Sequence, residues 1–275
     1  IGSLKKLEYR GYDSAGIATI FENNINEVKC EGRVNQLEKN VNQTNLSGTT
    51  GIGHVRWATH GKPSTINAHP HSSDNVSVVH NGIIENSTIL KKILEKKGYK
   101  FISQTDTEVI VHLVTDYLKK NNLKDTIIKV LKKLHGSFAL GIIFKDQPDL
   151  IIGARRGSPL AVGYGPDEHY LGSDSYALKS MTNKISYLND GEFCILKKDQ
   201  VEFFDSDGIK TNKEVLNLSK DEQNYEKGQY KYFMAKEIDE QPITIKNCIN
   251  EYIDKHNNEI NIYNFPWKIS DISSV

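Results

Sequence analysis

The sequence predicts an α+β fold in which β-sheets pack between layers of helices. Two observations carry this. Short apolar β runs occupy the first eighty residues, three helical stretches follow them, and from Ser137 onward short strands alternate with Gly, Asp and Pro turns. Strand-rich blocks on both sides of a helical block bring many antiparallel strands against helices, which suggests sheets covered by helical layers. In addition, no segment repeats at the spacing of a solenoid.

The elements follow in order. Ile1, Leu4 and Leu7 recur at i, i+3 and i+6, near one face of a helix. Ala15–Phe21 is an apolar β run, and Gly51–Trp57 carries a second strand into a polar loop. Val76–His80 is a third strand, ended by the turn signal Asn81-Gly82. A first full helix is capped by Ser87, carries Ile89, Leu90, Ile93 and Leu94 on its apolar face and stops at Gly98. A second begins at Thr105-Asp-Thr-Glu108, a capping-box pattern, and runs to about Lys120. Asp125–Leu134 is a third. The remaining predicted strands are Ser137–Phe144, Leu150–Ala154, Leu160–Gly163, His169–Leu171, Ile185–Leu188, Glu192–Leu196 and Val201–Phe204. Asp205–Asn224 reads as a polar loop, Tyr230–Asn250 as helical or mixed, and Glu251–Val275 as a polar, linker-like tail.

Composition narrows the function. The 275 residues suit one large domain or two small ones, and 37% hydrophobic with 25% charged residues is the balance of a soluble globular protein. Thirty-five basic residues meet 35 acidic ones, so no overall field gathers nucleic acid or an anionic membrane. The start has no apolar core or small-residue cleavage site of a signal peptide, and no apolar run approaches the roughly 20 residues of a membrane helix. Cys30, Cys194 and Cys248 are odd in number and far apart. They read as small buried hydrophobes of a cytosolic protein rather than a disulfide framework or a zinc site. The chain opens without Met inside a helix and stops abruptly at Val275, so a piece of a longer protein is expected.

The densest polar constellation is Gly53-His-Val-Arg-Trp-Ala-Thr-His-Gly61, with Asn67-Ala-His-Pro-His71 and His80-Asn-Gly82 behind it. It holds five of the nine histidines, in loops and at strand ends where binding groups gather. His69 and His71 with His54, His60 or His80 could offer imidazoles to zinc, but the spacing matches no strong motif. The same histidines could instead be buried hydrogen-bonders that shape the loop. Arg56 offers a planar fork for a carboxylate, or serves structure alone. Asn81-Gly82 is either a tight hairpin turn or an oxyanion hole made of the Asn81 amide and the Gly82 backbone N–H. Asp106 is either a helix-start residue or the partner of an ammonium group; with Arg56 it would read the two charges of an α-amino acid.

Several stretches together carry a resemblance. Leu7-Glu-Tyr-Arg-Gly-Tyr-Asp-Ser-Ala-Gly-Ile17, His54-Val-Arg-Trp-Ala-Thr-His-Gly61, Asn67-Ala-His-Pro-His71, His80-Asn-Gly-Ile-Ile-Glu-Asn86 and Thr105-Asp-Thr-Glu-Val109 stand in one order and spacing. Arg155-Arg-Gly-Ser-Pro-Leu160, Ser173-Asp174 and Phe233-Met-Ala-Lys-Glu-Ile-Asp-Glu-Gln-Pro242 extend them. They resemble the class II glutaminase domain of the glutamine–fructose-6-phosphate aminotransferase (isomerising) family. The resemblance implies an N-terminal-nucleophile hydrolase fold, a four-layer αββα sandwich. It implies that an N-terminal Cys attacks the glutamine side-chain amide with its own α-amine as base, and that ammonia passes to a sugar-isomerising domain. No cofactor is implied, and no metal for this half-reaction.

The roles carry over residue by residue. Asn81 and Gly82 match the oxyanion hole, Arg56 the clamp on the glutamine carboxylate, and Asp106 the partner of its ammonium. Trp57, Thr59 and His60 lie on the loop closing over glutamine, with His69 nearby. Arg10 and Gly11 match residues that position the nucleophile. The resemblance thus implies residues 1–242 as the glutaminase domain and 243–275 as a linker toward the sugar-isomerising domain, in a full-length homo-oligomer. Departures stand beside it: the Cys-Gly-Ile strand would lie ahead of Ile1, Val55 stands where Thr is frequent, Tyr232 where His is, and Asp239 where an aromatic is. A glutamine-binding module that has lost its nucleophile is the alternative.

Overall fold

The computed structural model describes residues 1–44, 46–218, 229–254 and 259–260. Helix α1 (Gly2–Leu7) buries Leu4 and passes through a 3-10 turn, Glu8–Arg10, into strand β1 (Ser14–Phe21). β1 turns back on β2 (Asn24–Glu31) through Glu22 and Asn23, both at positive φ, as a tight hairpin requires. Neither β2 nor the following α2 (Val34–Thr44) is predicted by the sequence. Only Val28 and Cys30 are buried along β2, and only Val34 and Leu37 along α2, so the apolar signal is thin. Strand β3 (Thr50–Arg56) joins β1 on its other side, which completes a three-stranded sheet in the order β2-β1-β3.

After the two-residue strand β4 (His71–Ser72), strand β5 (Val76–Ile84) corrects one expectation. Asn81-Gly82 is not a turn. The pair lies inside β5, opposite Ala139 and Phe138 of the neighbouring strand. Gly82 sits at φ +123, and a Cβ there would stand 2.1 Å from the Ser137 carbonyl oxygen, so only glycine fits this bend in the strand.

The three helices form where predicted, with different caps. α3 (Ser87–Lys96) has Asn86, not Ser87, at its N-cap, and the Asn86 side chain is spent on Lys133 O and His135 N instead. α4 (Glu108–Leu118) has Thr107 at its N-cap, two residues later than the capping-box pattern suggests. Glu108 reaches back to the Ile102 and Ser103 N–H groups at 2.9 and 2.7 Å, while the Thr105 hydroxyl meets His71 Nε2 at 2.9 Å. α5 (Leu123–Lys133) is capped by Asn122, which accepts from Asp125 N at 2.9 Å.

Strands β6 (Gly136–Phe144), β7 (Gln147–Arg156), β8 (Ala161–Tyr164) and β9 (His169–Gly172) follow. A short helix the sequence does not predict, α6 (Ser175–Leu178), starts where Asp174 accepts from Tyr176 N at 2.8 Å. Then come β10 (Lys184–Tyr187), β11 (Phe193–Leu196), β12 (Val201–Phe204), and the two-residue strands β13 (Lys210–Thr211) and β14 (Leu216–Asn217). The seven-stranded sheet runs β13-β12-β11-β7-β6-β5-β4, and a four-stranded one β14-β10-β8-β9.

Period-two alternation sorts β6 between layers. Phe138, Leu140, Ile142 and Phe144 join the core formed with α3, α4 and α5. Ile143 and Ala139 face the other way, Ile143 against Ala18, Ile20 and Ile52 of the first sheet and Ala139 against Leu160 and Val162 beyond β7. On the outer face of the first sheet, Leu4, Val34 and Leu37 bring α1 and α2 onto Ala15, Val28 and Val55. Helix, sheet, sheet, helix is the resulting order, and the fold is the αββα sandwich of the N-terminal-nucleophile hydrolases.

Residues Ile1–Lys220 form one compact unit and Asp221–Val275 a second. Within the second, α7 (Phe233–Tyr252) contains Pro242, and two-residue strands β15 (Ile253–Asp254) and β16 (Glu259–Ile260) pair. Tyr230 OH donates to the Asp239 carboxylate. The predicted loop at 219–224 and most of the predicted tail, 255–258 and 261–275, lie outside the described residues. Among the described residues no helix is long and apolar enough to cross a membrane.

Candidate functional site

The same alternation that builds the core places the site. On β3, Ile52, His54 and Arg56 share the face toward the seven-stranded sheet, because Ile52 packs against Ile143 there. On β5, Val79 packs in that inter-sheet layer too, so Asn81, two residues on, faces β3. The two strands therefore present His54 and Asn81 to each other, and His54 Nε2 stands 2.8 Å from Asn81 Oδ1. Between the sheets lies a cavity of about 1300 Å³, lined at this end by Arg56, Trp57, Thr59, Asn81, Gly82 and Asp106.

Arg56 closes β3 and is 4% exposed. Its Nη2 donates to the carbonyl oxygens of His60 and, at 3.3 Å, Gly61. Its Nη1 is buried without a partner. Burial pulls the guanidinium pKa down, against the pull of the Asp13 and Asp106 carboxylates. A guanidinium with one edge spent on the protein and one edge unpaired is ready for an anion.

The loop after Arg56 is held from below. Asp13 Oδ2 accepts from Ala58 N at 2.6 Å, and Asp13 N donates to Arg56 O at 3.1 Å. Gly11 backs onto the same peptide, since a Cβ there would fall 2.6 Å from Arg56 C and Trp57 N. Trp57 stands exposed at the rim, edge-on to Tyr12 at 6.1 Å. Thr59 lines the cavity; His60 supplies its carbonyl to Arg56 rather than its ring to the wall. Arg10 lines the cavity and donates to Ser173 Oγ at 3.2 Å.

Asp106 lies just before α4, 7% exposed, where its Oδ2 accepts from Ile84 N at 2.7 Å. That bond ties the carboxylate to the end of β5, close to Asn81-Gly82. His69 and His80 are joined through the Thr107 hydroxyl, at 3.1 and 3.0 Å. The His69 ring also stands 4.4 Å from that of His54 and 4.9 Å from that of His71. Burial holds all four imidazoles below their ordinary pKa, His54 at about 4 and His71 at about 3. Among the described residues no three His, Cys, Asp or Glu side chains are grouped to hold a metal ion. The histidines act as neutral hydrogen-bonding groups.

All ten predicted site residues thus belong to one region, eight of them lining the cavity and Gly11 and His60 supporting it. Three residues without an assigned role also matter here: His54, Thr107 and Asp13. For His54 the signal was its position two residues before Arg56, on the same face of a strand. Asp13 and Thr107 reveal themselves only in the packing. No cysteine among the described residues lines the cavity; Cys30 and Cys194 are buried in core clusters and Cys248 lies exposed on α7.

Comparison with known proteins places the chain in a family. The glutamine amidotransferase domain family matches residues 56–180. The glutamine–fructose-6-phosphate aminotransferase (isomerizing) of Bradyrhizobium diazoefficiens is 46% identical over all of this chain and 46% of its own length. That of Clostridium acetobutylicum is 46% identical over 99% of the chain and 44% of its own length. The chain therefore spans about half the length of these curated relatives. Among solved structures, glutamine phosphoribosylpyrophosphate amidotransferase from B. subtilis superposes with TM-score 0.63 at 28% identity, over 74% of this chain and 45% of that one. A glutamine aminotransferase class-II domain protein from Silicibacter pomeroyi shares the fold at TM-score 0.51, over 70% of this chain and 91% of that one.

Proposed function

Because the chain belongs to the glutamine amidotransferase family, we propose that its cavity binds L-glutamine and positions the side-chain amide for release of ammonia. The observation that carries this is the buried, unpaired Nη1 of Arg56 beside the Asp106 carboxylate and the Asn81-Gly82 pair. Arg56 takes the α-carboxylate and Asp106 the α-ammonium. That double clamp leaves the side-chain amide directed toward Asn81 and Gly82, where the Asn81 amide and the Gly82 N–H meet the oxygen as it gains charge. Trp57 and Thr59 cover the ligand, with the His60 backbone keeping Arg56 in place.

A cysteine thiolate at the N-terminus of the active protein attacks the amide carbon and forms a C–S bond, with its own α-amine as the base. The carbon–nitrogen bond then breaks as the ammonium returns its proton to nitrogen, ammonia leaves and a thioester remains. Water hydrolyses the thioester to glutamate. In the whole protein the ammonia converts fructose 6-phosphate to glucosamine 6-phosphate. We assign residues 1–242 to the glutaminase domain and 243–275 to the connection with a sugar-isomerising domain, in a cytoplasmic homo-oligomer.

Two outcomes test this reading. The 275-residue chain by itself releases no glutamate from glutamine, because no cysteine among the described residues lines the cavity. The same chain preceded by the Cys-Gly-Ile strand of the amidotransferases does release it. Glutamate release from the unextended chain, or none from the extended one, counts against the proposal. In the extended chain, Arg56→Ala raises the glutamine Kd about 10- to 100-fold, since a charge-assisted hydrogen bond contributes roughly 1.5–3 kcal/mol. Calorimetric titration reads this directly, and an unchanged Kd removes Arg56 from the clamp.

A further inference from the structure

An asparagine can serve an oxyanion only with its NH₂ end. Its carbonyl end, turned the same way, would repel the developing charge. The two ends are nearly identical in shape, so the neighbours decide which one faces the cavity. Asn81 lies half-buried on β5, and the neighbour at its carbonyl end is His54, with Nε2 2.8 Å from Oδ1. His54 comes from the facing sheet, two residues before Arg56 on β3.

We infer that His54 is a positioning residue, whose Nε2–H holds the Asn81 carbonyl oxygen and so directs the Asn81 NH₂ into the cavity. This rests on the proposed oxyanion role of Asn81. The tautomer follows from the surroundings: His54 Nδ1 is buried without a hydrogen-bond partner, whereas Nε2 has the Asn81 carbonyl oxygen at 2.8 Å; the His80 backbone, which also approaches the ring, is the competing partner. The opposite tautomer would accept from Asn81 Nδ2 and turn the carbonyl oxygen toward the reacting amide. The His69 ring, tilted against His54 at 4.4 Å, keeps the imidazole from rotating away. Because β3 also ends in Arg56, one strand fixes both the carboxylate clamp and the direction of the oxyanion donor.

Two measurements decide it. The first is the ¹⁵N spectrum of the histidines in the 275-residue chain at neutral pH, with His54 assigned by its loss in His54→Gln. A protonated Nε2 supports the inference, and a protonated Nδ1 overturns it. The second is kinetic, in the chain carrying the Cys-Gly-Ile strand. His54→Leu lowers kcat for glutamine hydrolysis at least about tenfold with KM changed less than about twofold, as loss of a transition-state donor predicts. His54→Gln, which keeps an N–H near the place of Nε2, recovers most of that loss. An unaffected kcat in His54→Leu, or a His54→Gln as impaired as His54→Leu, overturns it. If the unsubstituted extended chain hydrolyses no glutamine, the amidotransferase reading fails, and the tautomer measurement still decides the role of His54.

Discussion

Asn81→Ala in the Cys-bearing chain lowers kcat for glutamine hydrolysis by about 10²–10³, with KM nearly unchanged. Loss of one donor from a preorganised oxyanion hole costs on the order of 3–4 kcal/mol in the transition state. On the proposed clamp, ground-state binding keeps Arg56 and Asp106, so KM stays near its original value. The alanine adds no strain, because β5 keeps its pairing through position 81 opposite Ala139. Steady-state kinetics with glutamate detection check this. A rise in KM that accounts for the whole loss of kcat/KM would reassign Asn81 to substrate binding.

Acid is expected to destabilise the protein before most of its carboxylates titrate. His54, His69, His71 and His80 are buried as neutral rings, with pKa values below the unfolded value near 6.5. The unfolded chain therefore takes up protons before the folded one does. Their contribution to stability is complete above about pH 6.5 and is lost as pH falls from there toward 4, the folded value of His54. A tenfold difference in proton affinity is worth about 1.4 kcal/mol, so His54 alone weakens the fold by on the order of a few kcal/mol across that window. Thermal unfolding at pH 7.5, 6 and 5 shows a falling Tm, and a flat Tm would mean these imidazoles take up protons without unfolding. Burial pushes the Glu108 pKa up, but the His112 ring 3.6 Å away and the hydrogen bonds from Ser103 and Ile102 bring it down overall, and its contribution is lost only at lower pH.

What the sequence revealed of the site depended on whether the deciding contact was local. Arg56 and Asp106 are legible as candidates because each is a charged residue at a strand end or helix start in a polar loop, although each also has a structural use there. Asn81-Gly82 remained open between turn and oxyanion hole, since both begin with a strand ending in Asn-Gly. The structure removes the turn, by continuing β5 to Ile84 and bending it at Gly82 over the Ser137 carbonyl. The role of Gly11 was not legible from local physics, because the Arg56–Trp57 peptide it accommodates is far away in sequence. β2 and α2 were missed for a related reason. Each buries two residues and gains its place from the strand and helix it covers.

The helix caps show the limit from the other side. Ser87 and Thr105 have the right chemistry for caps, but Asn86 and Thr107 stand at the N-caps, while Asn86 and Glu108 spend their side chains on backbone groups of other segments. Local propensity named the residue type and tertiary contacts chose the residue.

The two-faced strand β6 makes the protein's tolerance of mutation lopsided. Toward the helices it presents Phe138, Leu140, Ile142 and Phe144, where harm comes from taking volume away. Toward the cavity it presents Ala139 and Gly141, where harm comes from adding volume; a Cβ at Gly141 would already stand 3.0 Å from Val79 Cγ2. Neighbouring positions on one strand therefore obey opposite rules. The open space of the cavity is inherited from side chains that are not there, and a drift toward a better-filled core along β6 would close it.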